Sequence, residues 1–261
     1  MRSRVFVLNV VAMLALMLPF VPCVSASARV AAITTGCGER IPIYFIRHGE
    51  SEDNINNIAT GWSQTPLTDH GRSQARWTGR YLSTTSFDRF YSSDLLRASQ
   101  TADIINARLQ TPLQISYSAN FREWNLGKFT GLSNTVAQKA MMRQLGYTMK
   151  LTQTSWSNFV SKTTTRERLN ALAAADETGE TESYKELKTR LLAGVEEITS
   201  DCHAGRVIVT MHGTALMVLL KALSPETYYT AGIGNASITI VVLKQNNFYI
   251  KTIGAYQPHL W

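Results

Sequence analysis

The chain has 261 residues, a formal net charge of +7 and three cysteines. This length allows one large α/β domain with a substantial core. The basic residues form no polybasic run, and no stretch interleaves aromatic with basic residues. The composition therefore gives no support for nucleic-acid binding, whereas a mildly basic chain suits anionic small substrates.

The N-terminal residues have the pattern of a cleaved leader. Two arginines precede an apolar run over residues 5–21, and small residues in the A-x-A pattern follow at 26–28. The run is short for a bilayer span, and signal peptidase prefers the A-x-A pattern. We therefore expect a signal peptide at residues 1–28, cleaved after Ala28, and a secreted or periplasmic protein without a stable membrane anchor. The alternative is an uncleaved N-terminal anchor.

Residues 29–261 form the single domain that we expect after cleavage. The removed segment carries two arginines and no acidic residue, so the net charge falls to about +5. Two cysteines remain, Cys37 and Cys202. In an exported chain, two such cysteines can pair.

Apolar, β-favouring runs alternate with amphipathic helical patterns along this domain. The predicted strands are 41–46, 87–92, 113–117, 206–211, 237–243 and 248–253. The predicted helices end or begin near these strands, at about 69–82, 94–109 and 184–198. We expect Thr68 or Asp69 to cap the first helix and Ser93 or Asp94 to cap the second.

This alternation predicts an α/β fold, a three-layer sandwich whose mostly parallel central sheet is flanked by helices. Residues 132–180 differ from the rest, because they are polar and threonine-rich and show no strand pattern. We expect them to form a helical insertion over the functional site.

Two histidines lie at the ends of predicted buried strands. His48 comes just after the strand at 41–46, and His212 comes just after the strand at 206–211. Each is followed by a glycine. Because ligands of parallel sheets bind at the carboxyl ends of the strands, this placement favours catalytic histidines over structural ones.

Four segments surround these histidines in a characteristic order. They are R-H-G-E-S at 47–51 with T-G-W at 60–62 and P-L-T-D-H-G at 66–71, S-S-D-L-L-R-A at 92–98, F-R-E-W at 121–124, and V-T-M-H-G at 209–213. Together they resemble the signature of the histidine phosphatase superfamily, in the branch of phosphoglycerate mutases and their phosphatase relatives. The resemblance covers the chain from about residue 41, except for the insertion.

The resemblance implies a reaction through phosphohistidine. His48 would attack phosphorus in line and become phosphorylated, and Glu123 would protonate the leaving oxygen and then activate water. Arg47 and Arg97 would present forked donors to the phosphate oxygens, with His212 as a further donor.

Asn54 and Thr60 are further candidate phosphate contacts, although each could equally form a turn. We expect no metal and no cofactor, because the two arginines already supply positive charge and no H-E-x-x-H or C-x-x-C spacing occurs. The expected partner is a phosphorylated small molecule. The oligomeric state is left open.

Hydrolysis is favoured over phosphoryl transfer between substrates. Mutases of this family carry paired arginines followed by a proline run in the insertion, whereas residues 132–180 contain neither. The acid-phosphatase branch usually has R-H-G-x-R-x-P and His-Asp, and this chain has E-S at 50–51 and G at 213 instead. A phosphoric monoester hydrolase is the favoured interpretation. A phosphoglycerate mutase-type phosphotransferase and a catalytically weak phospho-ligand-binding protein are the alternatives.

The resemblance also bears on the cysteines. If both histidines serve one phosphate, their strands are neighbours. Cys37 precedes His48 by 11 residues, and Cys202 precedes His212 by 10. Both thiols would then lie at a similar height at the opposite sheet edge, which predicts a Cys37–Cys202 disulfide. The alternative is two unpaired thiols.

Residues 235–237, N-A-S, form a formal N-glycosylation sequon, which has meaning only in a eukaryotic secretory pathway. In the family this position begins a strand close to the site. A structural role for Asn235 is therefore the favoured interpretation.

Overall fold

The computed structural model describes residues 40–148, 150–200, 205–226 and 233–255. The predicted leader at 1–28 and both cysteines of the predicted disulfide lie outside these ranges. Among the helices in these ranges, none has both the length and the apolar character needed to cross a bilayer.

A six-stranded sheet forms the centre of the described chain. Its strands are β1 (Ile41–Arg47), β2 (Arg89–Ser92), β3 (Ile115–Tyr117), β4 (Val207–Met211), β5 (Ile238–Lys244) and β6 (Asn247–Ala255). The order is β3-β2-β4-β1-β5-β6. The first four strands in this order run parallel, and β5 and β6 add an antiparallel edge. The predicted, mostly parallel sheet is confirmed.

Helices cover both faces of this sheet. They are α1 (Glu52–Ile55), α2 (Asp69–Leu82), α3 (Leu96–Asn106), α4 (Asn134–Gln144), α5 (Gln153–Lys162), α6 (Thr165–Ala174), α7 (Tyr184–Thr199) and α8 (Gly213–Leu223). The central strand β4 is buried throughout, and its alternate residues belong to different cores. Ile208 packs with residues of α2 and α3, whereas Val207 and Val209 pack with residues of α7 and α8. This alternation produces the three layers.

Two helix starts test the predicted caps. The Thr68 hydroxyl accepts a hydrogen bond from the Gly71 amide at 2.9 Å, so the predicted cap of α2 is confirmed. The predicted cap of α3 was wrong, because Leu95 occupies the N-cap position. The side chains of Ser93 and Asp94 instead reach His212 and Arg122.

Residues 132–180 contain α4, α5 and α6. The segment starts beside the loop that follows α1, where the Ala59 amide donates to the Leu132 carbonyl at 2.8 Å and the Asn134 amide donates to the Asn57 carbonyl at 2.9 Å. Buried apolar side chains of all three helices, such as Phe159, join the larger core. The insertion is therefore packed onto the domain rather than linked to it only through its ends.

Candidate active site

The two strand-end histidines lie side by side. In the parallel pair β1–β4, Arg47 stands opposite Met211, and the His48 amide donates to the Met211 carbonyl at 2.9 Å. The rings of His48 and His212 are 5.1 Å apart between centroids, and both are buried. The parallel register thus carries both predicted catalytic histidines to one point at the carboxyl edge of the sheet.

Hydrogen bonding fixes the tautomer of His48. Its Nδ1 lies 2.7 Å from the Gly49 carbonyl oxygen, which can only accept, so Nδ1 carries the proton. Nε2 of the neutral ring then keeps its lone pair. Burial lowers the pKa of His48 well below its usual value, and the charges of Arg97 and Arg47 lower it further. His48 is therefore a neutral base with Nε2 available as a nucleophile.

Close backbone contacts hold the loop that carries His48. A Cβ added to Gly49 would lie 2.4 Å from the Gly71 carbonyl oxygen, and one added to Gly71 would lie 1.9 Å from that of Glu50. Only glycine allows this approach between the loop and the first turn of α2. The Gly49 amide also donates to the Thr101 hydroxyl at 3.0 Å. These contacts explain why glycines stand at both positions.

Two arginines, the buried Arg97 and the half-buried Arg47, lie close enough to act on His48, and both are held by backbone carbonyls. The Arg97 guanidinium donates to the carbonyls of Gly61 and Ser63 at 2.9 and 3.0 Å. The Arg47 guanidinium donates to the Ile233 carbonyl at 2.6 Å. Within the described ranges neither arginine forms an ion pair, and Arg47 Nε has no hydrogen-bond partner. The site therefore carries positive charge that an anion can neutralise.

Both arginines remain charged at neutral pH. Burial lowers the pKa of Arg97 to about 10, an effect that the nearby Glu123 carboxylate opposes. Burial also lowers the pKa of Arg47, and Glu123 opposes this shift as well. Glu123 is thus close enough to act on both cations.

The Glu123 carboxylate is held at the first turn of α8. Its Oε1 accepts hydrogen bonds from the amides of Trp124 and Ala215 at 2.9 and 2.8 Å, and Oε2 accepts one from the Thr214 amide at 3.1 Å. Because α8 begins directly after His212, this contact ties the carboxylate to the second histidine. Oε1 thus accepts two backbone hydrogen bonds and Oε2 accepts one.

His212 is oriented by a residue that sequence reasoning had placed as a helix cap. Its Nε2 lies 2.8 Å from the Ser93 hydroxyl, and that hydroxyl accepts a hydrogen bond from the Leu95 amide at 3.3 Å. Ser93 can therefore donate to Nε2, which leaves the proton of the neutral ring on Nδ1. Burial lowers the pKa of His212 well below its usual value, with further lowering by Arg97, His48 and Arg47. Nδ1, which has no partner among the described residues, is then a free donor.

The two candidate phosphate contacts have different surroundings. Asn54 Oδ1 accepts hydrogen bonds from the Ser51 amide and from Asn235 Nδ2, both at 3.2 Å. Its own Nδ2 is left as a donor. The Thr60 hydroxyl faces the Ile58 carbonyl at 3.5 Å, next to the loop that holds Arg97. A phosphate contact stays a prediction for both residues.

The sequence analysis did not identify the side chains that hold the backbone of Glu123, which are those of Trp62 and Arg190. The Glu123 carbonyl accepts hydrogen bonds from Trp62 Nε1 at 2.7 Å and from Arg190 Nη2 at 3.1 Å. Two guanidinium groups lie against the Trp62 ring, that of Arg122 at 4.7 Å and that of Arg190 at 5.6 Å from its centroid. Arg190 in turn forms a two-pronged ion pair with Glu182. The T-G-W segment was the one available signal of this support.

The described residues contain no group of three or more His, Cys, Asp or Glu side chains arranged to hold a metal ion.

The buried histidines predict how stability depends on pH. The unfolded chain binds protons at histidine below about pH 6.5, whereas folding keeps His48 and His212 neutral. Their contribution to the free energy of unfolding is therefore fully present above about pH 6.5 and is lost as pH falls through the lowered folded pKa. The loss is at most about 1.4 kcal/mol per pH unit for each histidine. We expect urea midpoints to fall between pH 6.5 and 5, and to fall less in His48→Asn. If the urea midpoint fell equally with pH in the wild-type protein and in His48→Asn, this expectation would be contradicted.

Comparisons with known proteins agree with this geometry. A family model described as the histidine phosphatase superfamily (branch 1) matches residues 43–255. A 2,3-bisphosphoglycerate-dependent phosphoglycerate mutase from Methylocella silvestris is 39% identical over 98 residues, which cover 36% of this chain and 48% of that mutase. The chain thus spans about half the length of that relative.

Two further relatives match over most of the domain. A broad-specificity phosphatase from Saccharomyces cerevisiae is 28% identical over 227 residues, which cover 83% of this chain and 86% of that protein. The crystal structure of a phosphoglycerate mutase from Bacillus anthracis superimposes with a TM-score of 0.76 at 27% identity, covering 83% of this chain and 94% of that one. Together with the match over residues 43–255, these similarities show that the chain belongs to the histidine phosphatase superfamily.

Proposed function

We propose that this chain is an exported phosphomonoesterase that hydrolyses phosphorylated small molecules through a phosphohistidine intermediate on His48. The observation that carries the proposal is the state of His48, a neutral ring whose Nδ1 is bound to the Gly49 carbonyl and whose Nε2 faces no protein partner among the described residues. The charges of Arg47 and Arg97 act on His48, and within the described chain neither guanidinium group is neutralised by an ion pair. A phosphate dianion fits this combination of lone pair and positive charge.

In the first half-reaction, Nε2 of His48 attacks phosphorus in line with the leaving oxygen. The N–P bond forms as the P–O bond breaks, and a proton on Glu123 passes to the leaving oxygen to release an alcohol. Arg47, Arg97 and the Nδ1–H of His212 bind the non-bridging oxygens, where negative charge is concentrated. Their positions are set before the substrate arrives, since each is held by a hydrogen bond to the surrounding structure, and Arg97 and His212 are also buried.

In the second half-reaction, water attacks the phosphohistidine. Glu123, now a carboxylate, takes a proton from the water as its oxygen bonds to phosphorus, and the N–P bond breaks. The electron pair of that bond returns to Nε2 of His48. Glu123 is again protonated and inorganic phosphate leaves, so the cycle consumes one water per ester.

A mutase-type phosphotransferase is the second candidate, because mutases occur among the relatives. The insertion argues against it. Arg168 donates its guanidinium protons to the carbonyls of Val160 and Thr163, and Arg166 lies over the Tyr184 ring at 5.2 Å. Arg168 is thus engaged within the insertion, and Arg166, an exposed side chain, lies against Tyr184 at the start of α7.

The purified chain should hydrolyse p-nitrophenyl phosphate in the presence of EDTA. Incubation with 3-phosphoglycerate, with and without 2,3-bisphosphoglycerate, separates the candidates. A hydrolase releases inorganic phosphate without the bisphosphate, whereas a mutase interconverts the phosphoglycerates only with it. Phosphate binding without turnover would favour the binding-protein alternative. The mass of the exported protein tests the location, since cleavage after Ala28 leaves Arg29 as the first residue.

Glu123→Gln should separate substrates by their leaving groups. The amide cannot donate a carboxylic proton, so hydrolysis of alkyl phosphates should slow by about 10²–10⁴. Hydrolysis of p-nitrophenyl phosphate should slow less, because nitrophenolate departs without protonation. The measurement is kcat/KM for both ester classes in wild-type protein and variant. An equal loss for both classes would contradict the assignment of Glu123 as the acid.

A further inference from the structure

We propose that Asn235 is a positioning residue, which turns the Asn54 amide so that its N–H donors face the phosphate of the substrate. The inference rests on the proposed function, because it assumes that phosphate occupies the space beside His48. Asn235 itself does not touch the substrate in this proposal. It acts through Asn54, a residue for which phosphate binding was expected from the sequence.

Two backbone groups determine how both amides are oriented. The His48 carbonyl lies 3.0 Å from Asn235, and a carbonyl oxygen can only accept, so Asn235 must present Nδ2 there. The same Nδ2 lies 3.2 Å from Asn54, which must then present Oδ1. The Ser51 amide, which can only donate, independently requires Oδ1 at 3.2 Å. If the Asn235 amide were reversed, its Oδ1 would face the His48 carbonyl oxygen, another acceptor. If the Asn54 amide were reversed, its Nδ2 would face the Ser51 amide, another donor.

The consequence is a directed Asn54 side chain. Its Oδ1 accepts hydrogen bonds from two donors, whereas its Nδ2 has no hydrogen-bond partner in the described ranges. Nδ2 therefore points away from Ser51 and Asn235. Helix α1, which carries Asn54, lies at the arginine site. The Ser63 hydroxyl contacts Asp53, and the Ser63 carbonyl binds Arg97. In this proposal the free amide donors of Asn54, whose side chain is exposed, face the anion that Arg97 and His48 bind.

The backbone of Asn235 is held independently of its side chain. The Ala236 amide donates to the carbonyls of Arg47 and His48 at 2.9 and 3.1 Å, and the Ala236 carbonyl accepts from the Thr78 hydroxyl at 2.7 Å. Ala236 also adopts a left-handed φ of 53°, which surrounding contacts must maintain. A substitution at Asn235 should therefore leave the backbone in place and report on the loss of the side-chain amide alone.

This arrangement also assigns the sequon at 235–237 to the active site. Asn235 Nδ2 has two protons, and the His48 carbonyl and Asn54 Oδ1 each accept one. A glycan on Nδ2 would replace one of them. The amide can hold the site or carry a glycan, but not both.

The decisive variant is Asn235→Asp, in the full-length protein. Aspartate has nearly the shape of asparagine but only accepts, so it would oppose the His48 carbonyl and turn the Asn54 amide around. We expect the dissociation constant of orthophosphate, measured by calorimetry, to rise about 10- to 100-fold, as for loss of a hydrogen bond to a charged group. KM for p-nitrophenyl phosphate should rise with it and kcat should change less, because phosphate is bound in ground and transition states alike. Asn158→Asp, an exposed change of the same charge on α5, is the matched control and should bind orthophosphate as wild type does.

A double-mutant cycle distinguishes positioning from general structural damage. In an Asn54→Ala background, Asn235→Asp should weaken orthophosphate binding by a clearly smaller factor than in the wild-type background, because only direct repulsion between the aspartate charge and the phosphate remains. Equal losses in both backgrounds, or binding within about twofold of wild type in the single variant, would overturn the proposal. If Asn235→Asp does not fold, Asn235→Ala provides the same cycle with a smaller expected loss.

Failure of the proposed function gives a different result. A wild-type chain that binds orthophosphate but does not turn over esters would refute the phosphatase, while the calorimetric cycle would still test Asn235. A wild-type chain that does not bind orthophosphate would overturn the assignment of Asn235, because no anion would be present for Asn54 to face.

Discussion

Replacement of His48 by alanine should lower kcat/KM for phosphomonoesters by on the order of 10⁴–10⁶, as for removal of other enzymatic nucleophiles. No neighbouring group can take its place. His212 has Nε2 bound to the Ser93 hydroxyl, and its Nδ1 carries the proton of the neutral ring. Because Arg47 and Arg97 do not depend on the imidazole for their hydrogen bonds, the variant should still bind orthophosphate. The measurement is steady-state hydrolysis beside calorimetric binding of orthophosphate.

Chemical trapping makes this test specific. Rapid quenching of wild-type protein with labelled substrate should yield a phosphoryl group that is labile in acid and stable in alkali, located on His48. His70→Ala is a suitable control, since this histidine lies on α2 and contacts Gln74 outside the histidine pair. It should retain turnover and trapping. Label on another residue, or turnover close to wild type in His48→Ala, would refute the proposed nucleophile.

The position of the histidine pair was predictable from the sequence for a physical reason. Short runs of apolar, β-favouring residues are typical of buried central strands, and β1 and β4 contain such runs. Parallel neighbours end at the same sheet edge, so a polar residue after each run is carried to one place. The pairing of Arg47 with Met211 meets this expectation. Periodicity alone does not assign different roles to His48 and His212, and the proposed roles of nucleophile and donor come from the family resemblance.

Side chains that act across long sequence distances could not be predicted in this way. Arg190 lies on α7, where an arginine normally indicates a solvated helix face. Its guanidinium instead donates to the carbonyls of Ala119, Asn120, Arg122 and Glu123 and pairs with Glu182. These contacts depend on how the loop before α4 folds against α7, and no local pattern encodes that.

Ser93 shows a different limit. A serine before a helical pattern is a reasonable N-cap, because its hydroxyl can accept from the first amides of the helix. The hydroxyl does accept from the Leu95 amide, but α3 begins later and the same oxygen reaches His212. A serine that caps a helix and a serine that contacts His212 can therefore stand at the same place in the chain. Asn235 is similar, since the sequon that made it noticeable says nothing of its contacts with His48 and Asn54.

Arg97→Lys should lower kcat/KM by on the order of 10²–10³ even though it keeps the charge. The guanidinium uses two of its donors on the carbonyls of Gly61 and Ser63, and this leaves the remainder of a rigid fork for phosphate. An ammonium group cannot satisfy both carbonyls and also reach the anion with directed donors. Because Arg97 is almost fully buried, the loss of one of these hydrogen bonds should also lower the free energy of unfolding.

Arg168→Lys provides a matched control, because Arg168 also donates to backbone carbonyls, those of Val160 and Thr163, but within the insertion. If the effect of Arg97→Lys came only from weaker bonds to the backbone, both variants would lose stability and both would keep kcat/KM. If Arg97 binds the transferring phosphoryl group, Arg97→Lys loses catalysis beyond its loss of stability, and Arg168→Lys does not. Urea unfolding and p-nitrophenyl phosphate kinetics on the two variants separate these cases. If kcat/KM were the same in Arg97→Lys and Arg168→Lys, Arg97 would serve only to hold the loop at 60–63. Arg47 would then be the principal cation of the site.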